Sequence, residues 1–326
     1  MRVSRFAATL LAAVAIAASA ALPSAAQTFP TGPVKLIVPV PAGGVTDAMA
    51  RVVGQGLSDL WGKPVIVDNR PGGNYGVGVQ AVATAPPDGL TLAVIPDSTV
   101  TANPSLFAKL SYDPDRDLTP ITPLCRITPV LVINAAIPAQ NVKELVALAK
   151  AKPGGLNYGS YGTGTYAHLS MEDFKQRTGT DVVHVPYRGA APAAQGLLGG
   201  EISMLLLNLS SIEEHEKTGR VRILAAAGER RPASKPDLPT VAEAGVPGFS
   251  TDAWFGMFGP AKMSPDLVAK IHADVATVLS NPQVREYFAK NSFERVDVTP
   301  AQFSDLIKRD STHWGQLIRS LNIKLD

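Results

Sequence analysis

Two short corners bring together the residue types that grip an anion. Pro41-Ala42-Gly43-Gly44-Val45-Thr46-Asp47 follows the apolar run KLIVPV and opens a helical pattern. Gly159-Ser160-Tyr161-Gly162-Thr163-Gly164-Thr165-Tyr166-Ala167-His168 sits in the same strand–loop–helix context. Glycine lets backbone approach a ligand closely. The first N–H groups of a helix have no partner within it and carry partial positive charge. Such a junction therefore suits phosphate or carboxylate. Thr163 and Thr165 add hydroxyl donors, and Thr165 can also cap its helix. Asp47 is itself an anion at the first helix start. If Asp47 or Thr46 caps that helix, one or two N–H groups are occupied and those of residues 43–45 are left for a ligand. His168 either orients the second loop or lines a cleft. From spacing alone, an ordinary strand–turn–helix corner explains the first loop equally well.

Other chemistries find no matching pattern. No Gly-Lys-Ser/Thr is present, so the loops are not a P-loop, and GSYGTGTYA does not fit G-x-G-x-x-G in register. Neither H-E-x-x-H nor G-x-S-x-G occurs. The five histidines lack metal-ligand spacing. Asp113-Pro114-Asp115-Arg116-Asp117 starts like a calcium loop, but Leu118 stands where the loop needs glycine and Leu124 where it needs glutamate. It reads as a solvated turn. No catalytic set, metal or cofactor is therefore expected. Two further corners are candidates for lining a cleft: Asn69 to Gly76, and Asn208 at the end of MLLLN. Tyr75, Tyr161 and Tyr166 lie in these loops, where they either stack on a ligand ring or pack the loops.

The elements that must hold these corners alternate along the chain. VKLIVPV, PVIVD and TLAVIP are strand-like and separated by helical patterns, one from about Thr46 to Leu60 with Met49, Val52, Val53, Leu57 and Leu60 on one face. Gly54 and Gly56 weaken that helix by roughly 1 kcal/mol each. The pattern restarts at PVLVINAA, continues through LNYGS, VVHVPYRG, EISMLLLNL and VRILAAAG, and returns with WFGMFGP. Ser264-Pro265 and Thr299-Pro300 start two capped helices. Such alternation predicts an α/β fold of mainly parallel sheets with flanking helices, in two lobes with a ligand cleft between them.

MRVSR, the apolar run after it and Ser24-Ala25-Ala26 read as a secretory signal peptide over residues 1–26, with cleavage near Ala26-Gln27. An exported product is expected. The lone Cys125 has no internal partner and reads as a small buried residue. The chain has 30 basic and 28 acidic residues, and removal of Arg2 and Arg5 with the leader balances them. A neutral protein has no bulk field for nucleic acid or an anionic membrane, so any anion must be gripped locally.

The ordered segments VKLIVPVPAGGVTDAMAR, VIVDNRPGG, PPDGLTL, YDPDRDLTPIT, LNYGSYGTGTYAHL, VHVPYRGAAPA and LPTVAEAGVPGF resemble the Bug-type substrate-binding proteins of tripartite tricarboxylate transporters, the TctC family. The resemblance covers essentially the whole mature chain. It implies a periplasmic two-lobed binding protein, type II-like, that closes on a small carboxylate and docks to a membrane permease. It also implies a first lobe of residues 27–127 and 252–326 and a second of 128–251. By the same analogy Pro41 to Gly44 is one carboxylate loop and Tyr161 to Thr165 the facing one. The chain departs from the family pattern at Val40, where an aromatic is common, and at Asn208, where an aspartate is common. Asn208 cannot offer a charge to a ligand ammonium, and the smaller Val40 leaves room for a bulkier or aromatic acid.

The full set of expected ligand-binding residues is Val40, Pro41, Ala42, Gly43, Gly44, Asp47, Asn74, Tyr75, Ser98, Tyr161, Gly162, Thr163, Gly164, Thr165, His168 and Asn208. The expected partners are a di- or tricarboxylate or an aromatic carboxylate and the permease subunits, with the receptor a monomer. The alternatives are a ligand-sensing subunit for a membrane signalling protein and, further off, an exported hydrolase using His168 with a nearby hydroxyl.

Overall fold

A computed structural model describes residues 29–325; the expected leader and its cleavage point lie outside them. Two sheets organise residues 32–325 as one compact unit. The first contains β1 (Val34–Val38), β2 (Val65–Asn69), β3 (Thr91–Pro96), β4 (Leu118–Ile127), β10 (Ala253–Pro260) and β11 (Phe293–Glu294), in the order β11-β4-β10-β3-β1-β2. The second contains β5 (Pro129–Asn134), β6 (Asn157–Ser160), β7 (Val183–Pro186), β8 (Met204–Asn208) and β9 (Val221–Ala226), in the order β7-β6-β8-β5-β9. The chain passes from one sheet to the other at Thr128 and returns ahead of Ala253. The main helices are α1 (Val45–Trp61), α2 (Gly76–Ala83), α3 (Val142–Ala151), α4 (Tyr166–Thr178), α5 (Ala190–Gly199), α6 (Pro265–Ser280), α7 (Pro282–Lys290) and α8 (Pro300–Ser320).

Both sheets are mixed α/β sheets in which most strands share one direction. β1 pairs parallel with β2 and β3, but the return strand β10 inserts antiparallel between β3 and β4. In the second sheet β6 pairs parallel with β7 and β8, while β5 runs antiparallel to β8 and β9. Apart from the two-residue β11, the opposed strands β5 and β10 are those that carry the chain between the sheets. They have no crossover helix to impose parallel direction.

Strand β4 had no sequence signal because it contains Pro120 and Pro123. Its pairing with β10 is interrupted twice, so that Gly256 meets Pro123 after a shift and Phe258 meets Pro120 after another. A bulge places an extra residue beside each proline, which has no N–H for the ladder. The short β11 covers β4 only at Arg126 and Ile127, so most of that edge is free of a second partner.

Helices α6 and α8 start as their sequences predict. Ser264 Oγ accepts from Leu267 N at 3.3 Å, and Thr299 with Gln302 forms a reciprocal capping box. Both α6 and α8 pack on β4. Gly56, a liability for an isolated helix, is where α1 meets α6: a Cβ there would come within 2.4 Å of Val278. The core between α8 and the first sheet centres on Phe303, which is 0% exposed and 5.1 Å from Trp254 and 5.4 Å from Phe258, ring to ring. Phe303→Ala leaves a large void there and is expected to lower unfolding free energy by about 3–5 kcal/mol, read from chemical denaturation of the mature chain. A loss below about 1 kcal/mol would show that this core collapses around the gap.

Candidate functional site

The carboxyl ends of the parallel strands converge. The loops after β1 and β2 and the last residue of β3, Pro96, come from one sheet, and loops after β6, β7 and β8 from the other. Together they line one cavity of about 820 Å³. Crevices at strand carboxyl ends are where open α/β sheets bind ligands.

The loop after β1 supplies Val40, Pro41, Ala42, Gly43, Gly44 and the start of α1 to the wall. Gly44 is the N-cap of α1 in extended conformation, and no side chain caps the helix. Among the described residues no acceptor lies against the N–H groups of Gly44, Val45 and Thr46. Gly43 differs from the expectation, because its N–H donates to Asp47 Oδ2 at 3.0 Å. Asp47 is 4% exposed and does not line the cavity. Its carboxylate also accepts from Arg51 Nε at 3.1 Å and from Asn69 Nδ2 at 3.0 Å, and Asn69 Nδ2 reaches Val40 O as well. Burial opposes the Asp47 charge, but the hydrogen bonds from Arg51, Gly43 and Asn69 outweigh it and hold the carboxyl below its ordinary range. Asp47 thus fixes the loop from behind and leaves the helix terminus open.

Asn74 and Tyr75 line the cavity from the loop after β2. Both have left-handed backbone, φ 46° and 77°, which is strained for non-glycine residues. A buried network holds them: Asn74 Nδ2 donates to Asn103 Oδ1, Asn103 Nδ2 donates to Asn74 O and to Tyr112 Oη, and Tyr112 Oη donates to Thr99 O. Ser98, expected at the site, is 2% exposed and outside the wall. It opens the short helix 98–101 behind Tyr75, and its N–H donates to Asp97. Burial pushes the carboxyl of Asp97, behind the cavity floor, up to about 8.

The second glycine loop contributes less than its sequence suggests. Tyr161 and Gly162 line the cavity, while Thr163, Gly164, Thr165 and His168 do not. Thr165 Oγ1 donates to Gly162 O at 2.7 Å, and the Thr165 N–H bonds the same carbonyl, so the loop closes on itself. Gly164 has φ 86° and packs so closely on Leu106 and Asn74 that a Cβ would come within 2.8 Å of the first. Its N–H donates to His168 Nδ1 at 3.1 Å. His168 therefore orients the loop from inside. Its ring stacks on His184 at 4.2 Å, and His184 Nε2 lies 2.7 Å from Ser160 Oγ. That resembles a nucleophile–base contact, but Ser160 is 0% exposed and outside the wall. Tyr166 joins Tyr161 at the floor, hydroxyl to hydroxyl at 3.4 Å, and Tyr161 Oη donates to Leu206 O.

Asn208 ends β8, is 3% exposed and lines the cavity. Its Nδ2 donates to Ser210 Oγ and to Asn291 O, the second on the turn before β11 of the first sheet. It serves as a tie between the sheets as well as wall.

The sequence reading missed the wall after β7. Tyr187, Arg188, Gly189 and one face of α5 line the cavity, with Ser211 and His215 beside them. The signal was present: VPYRG followed by a helix repeats the strand–glycine–helix order of the two loops singled out. Among the described residues no acidic side chain lines the cavity, and Arg188 is the one formally charged residue in its wall.

The imidazole pair gives a pH dependence. Burial and the neighbouring His168 bring His184 down to about 4, and burial also lowers His168. Unfolded histidine titrates near 6.5. Below that pH the unfolded chain binds protons that the folded one does not, so stability falls as pH drops from about 6.5 through about 4. Melting temperature recorded across that window should decline, and His184→Gln should flatten the slope. An identical slope in the variant would remove the imidazole pair as its source.

Residues 49–323 match the family model described as tripartite tricarboxylate transporter family receptor. The chain is 34% identical over 320 residues to Protein BugT of Bordetella pertussis, spanning 97% of this chain and 98% of that protein. The structure of R. palustris Rpa4515 with adipate superimposes with a TM-score of 0.86 at 30% identity, covering 91% of this chain and 99% of that one. MatC from Rhodopseudomonas palustris with bound malate gives 0.82 at 29% identity, covering 89% and 100%.

Proposed function

We infer that this chain, which belongs to the tripartite tricarboxylate transporter receptor family, captures a small organic carboxylate in its cavity and delivers it to the membrane permease of such a transporter. The observation that carries this reading is the wall itself. It has no acidic side chain, and at one end the N–H groups of Gly44, Val45 and Thr46 stand without a protein acceptor. A carboxylate there gains hydrogen bonds and the favourable end of the α1 dipole. Adipate in Rpa4515 and malate in MatC are carboxylates held by structures of similar shape.

Residues from both sheets line the cavity, so one ligand touching both walls favours the conformation in which they approach. A ligand shifts that equilibrium by its differential affinity for the two states. The receptor needs no catalytic step. The leader-like start fits export to the periplasm, and no helix among the described residues is long and apolar enough to cross a membrane. The segments 27–127 with 252–326 and 128–251 would be the moving lobes, each built on one sheet.

Binding is tested by thermal shift and calorimetry with aliphatic and aromatic carboxylates and amino acids. A ligand at about 100 times its dissociation constant adds roughly 2.7 kcal/mol to stability. Val45→Pro isolates the carboxylate contact. Val45 is the first residue of α1 and Gly44 before it is extended at φ −91°, ψ 177°, so proline fits without disturbing the helix. The substitution deletes one N–H. A charge-assisted hydrogen bond of about 1.5–3 kcal/mol corresponds to roughly 10- to 100-fold in affinity. A folded Val45→Pro protein that binds its best carboxylate as tightly as wild type would refute this placement.

A further inference from the structure

The second glycine loop touches the other half of the molecule far from the two chain crossings. Gly164 follows β6 and lies against Asn74, Leu106 and Leu325. A Cβ built on it would come 2.8 Å from Leu106 Cδ1 and 3.2 Å from both Asn74 Nδ2 and Leu325 Cδ1. The segment after α8 reaches this place by backbone pairing. Leu325 N donates to Leu106 O at 2.8 Å, and Leu325 forms a parallel bridge with Phe107. Leu169 of α4 continues the contact. It is fully buried in one cluster with Leu106, Trp314, Leu317 and Ile318, and Leu325 packs against that cluster. Gly164 and Leu169 belong to the segment 128–251, and the others to 27–127 and 252–326. Two polar ties between the segments lie instead at the crossings. Thr128 Oγ1 donates to Asp252 Oδ1 at 2.9 Å, and Asn208, opposite Pro129, donates to Asn291 O at 3.1 Å. In the first sheet β2, which precedes Asn74, is the edge strand farthest from β4; in the second, β6 lies two strands from β5. A rotation about the crossings therefore acts strongly on the Gly164 contact. That contact also borders the ligand cavity, whose wall includes Asn74 and, on either side of Gly164, Gly162 and Tyr166.

We propose that the segment Asn322–Leu325 is a clasp that positions the ligand walls. Leu325 packs where Gly164 has no side chain and holds the second glycine loop against Asn74 and Leu106. This rests on the two-lobed carboxylate reading above. A receptor whose competent arrangement is only partly populated binds in proportion to that fraction. A contact that raises the fraction raises affinity without touching the ligand. Leu325 does not line the cavity, so it is a positioning residue and acts on affinity through the walls. Gly164, which reads in the sequence as a ligand contact, serves as the other half of the clasp.

Two measurements on the mature chain test this: small-angle scattering without ligand, and calorimetric titration with adipate, malate and benzoate in turn. Leu325 is half-buried, so Leu325→Ser is expected to fold. Its radius of gyration should exceed that of wild type, and its affinity for the tightest of the three acids should fall about 5-fold or more, in proportion to the lost competent fraction. Leu325→Ala, which shortens the side chain without adding a polar group, should move both readings the same way. Leu325→Met, which keeps an apolar contact, should restore both. Wild-type scattering and affinity in folded Leu325→Ser would show that the segment is only a surface strand, and the proposal would be wrong. A gain in affinity would mean that it holds the walls apart, which also overturns the proposal. Expansion with unchanged affinity would show that the contact holds the halves without positioning the site, and the clasp would fall as stated. If wild type binds none of the three acids, the carboxylate reading loses its support and scattering alone decides the clasp: expansion in Leu325→Ser and Leu325→Ala supports it, and an unchanged radius overturns it.

Discussion

The site depends on a helix terminus held open. Left to itself, the start of α1 would take a cap from Thr46 or Asp47, because unsatisfied N–H groups are costly away from water. The structure prevents this by engaging Asp47 elsewhere. Its carboxylate faces back to Gly43, Arg51 and Asn69, so the negative charge that would block the terminus becomes the anchor of the loop. An anion can then be received by neutral backbone dipoles, and burial disfavours the charged form of Asp97 behind the floor. Every other feature of the cavity is compatible with that choice, since no carboxylate from the protein competes for the same donors.

Positioning follows from sheet topology. Three parallel strands in each sheet end at the cavity, and the antiparallel strands carry the connections between the halves. The strained Asn74–Tyr75 turn is held by the Asn103–Tyr112 network, and the second glycine loop by Thr165 and His168. In each case a residue that looks ligand-directed supports the loop from behind. This is the physical meaning of a preformed site: the groups that shape it are occupied with one another before the ligand arrives.

Legibility in the sequence followed the range of the interactions. Helix α1 begins within a residue of its expected start, because apolar spacing and the glycine corner are local signals. The starts of α6 and α8 were equally plain, whereas α7, which also opens on a capped proline at Pro282, was not singled out. Strand β4 was invisible because Pro120 and Pro123 contradict strand chemistry unless bulges in β10 pairing accommodate them. Gly56 looked like a flaw and is the contact point of two helices. The common direction of most strands follows from alternation, but the opposed direction of β5 and β10, which carry the chain between the sheets, does not.

By itself the sequence determined the α/β class, the two glycine corners, the absence of familiar catalytic patterns and the resemblance to carboxylate receptors. These rest on periodicity, backbone permissiveness and residue types within a few positions of one another. Only the tertiary structure decided which donors remain free. Asp47, Thr165 and His168 have the same chemistry in the sequence as any ligand contact, and only their partners reveal that they support the loops. Hydrogen bonds and charges are satisfied in space, between residues such as Asp47 and Asn69 or Asn208 and Asn291, and no local pattern records which of them will meet.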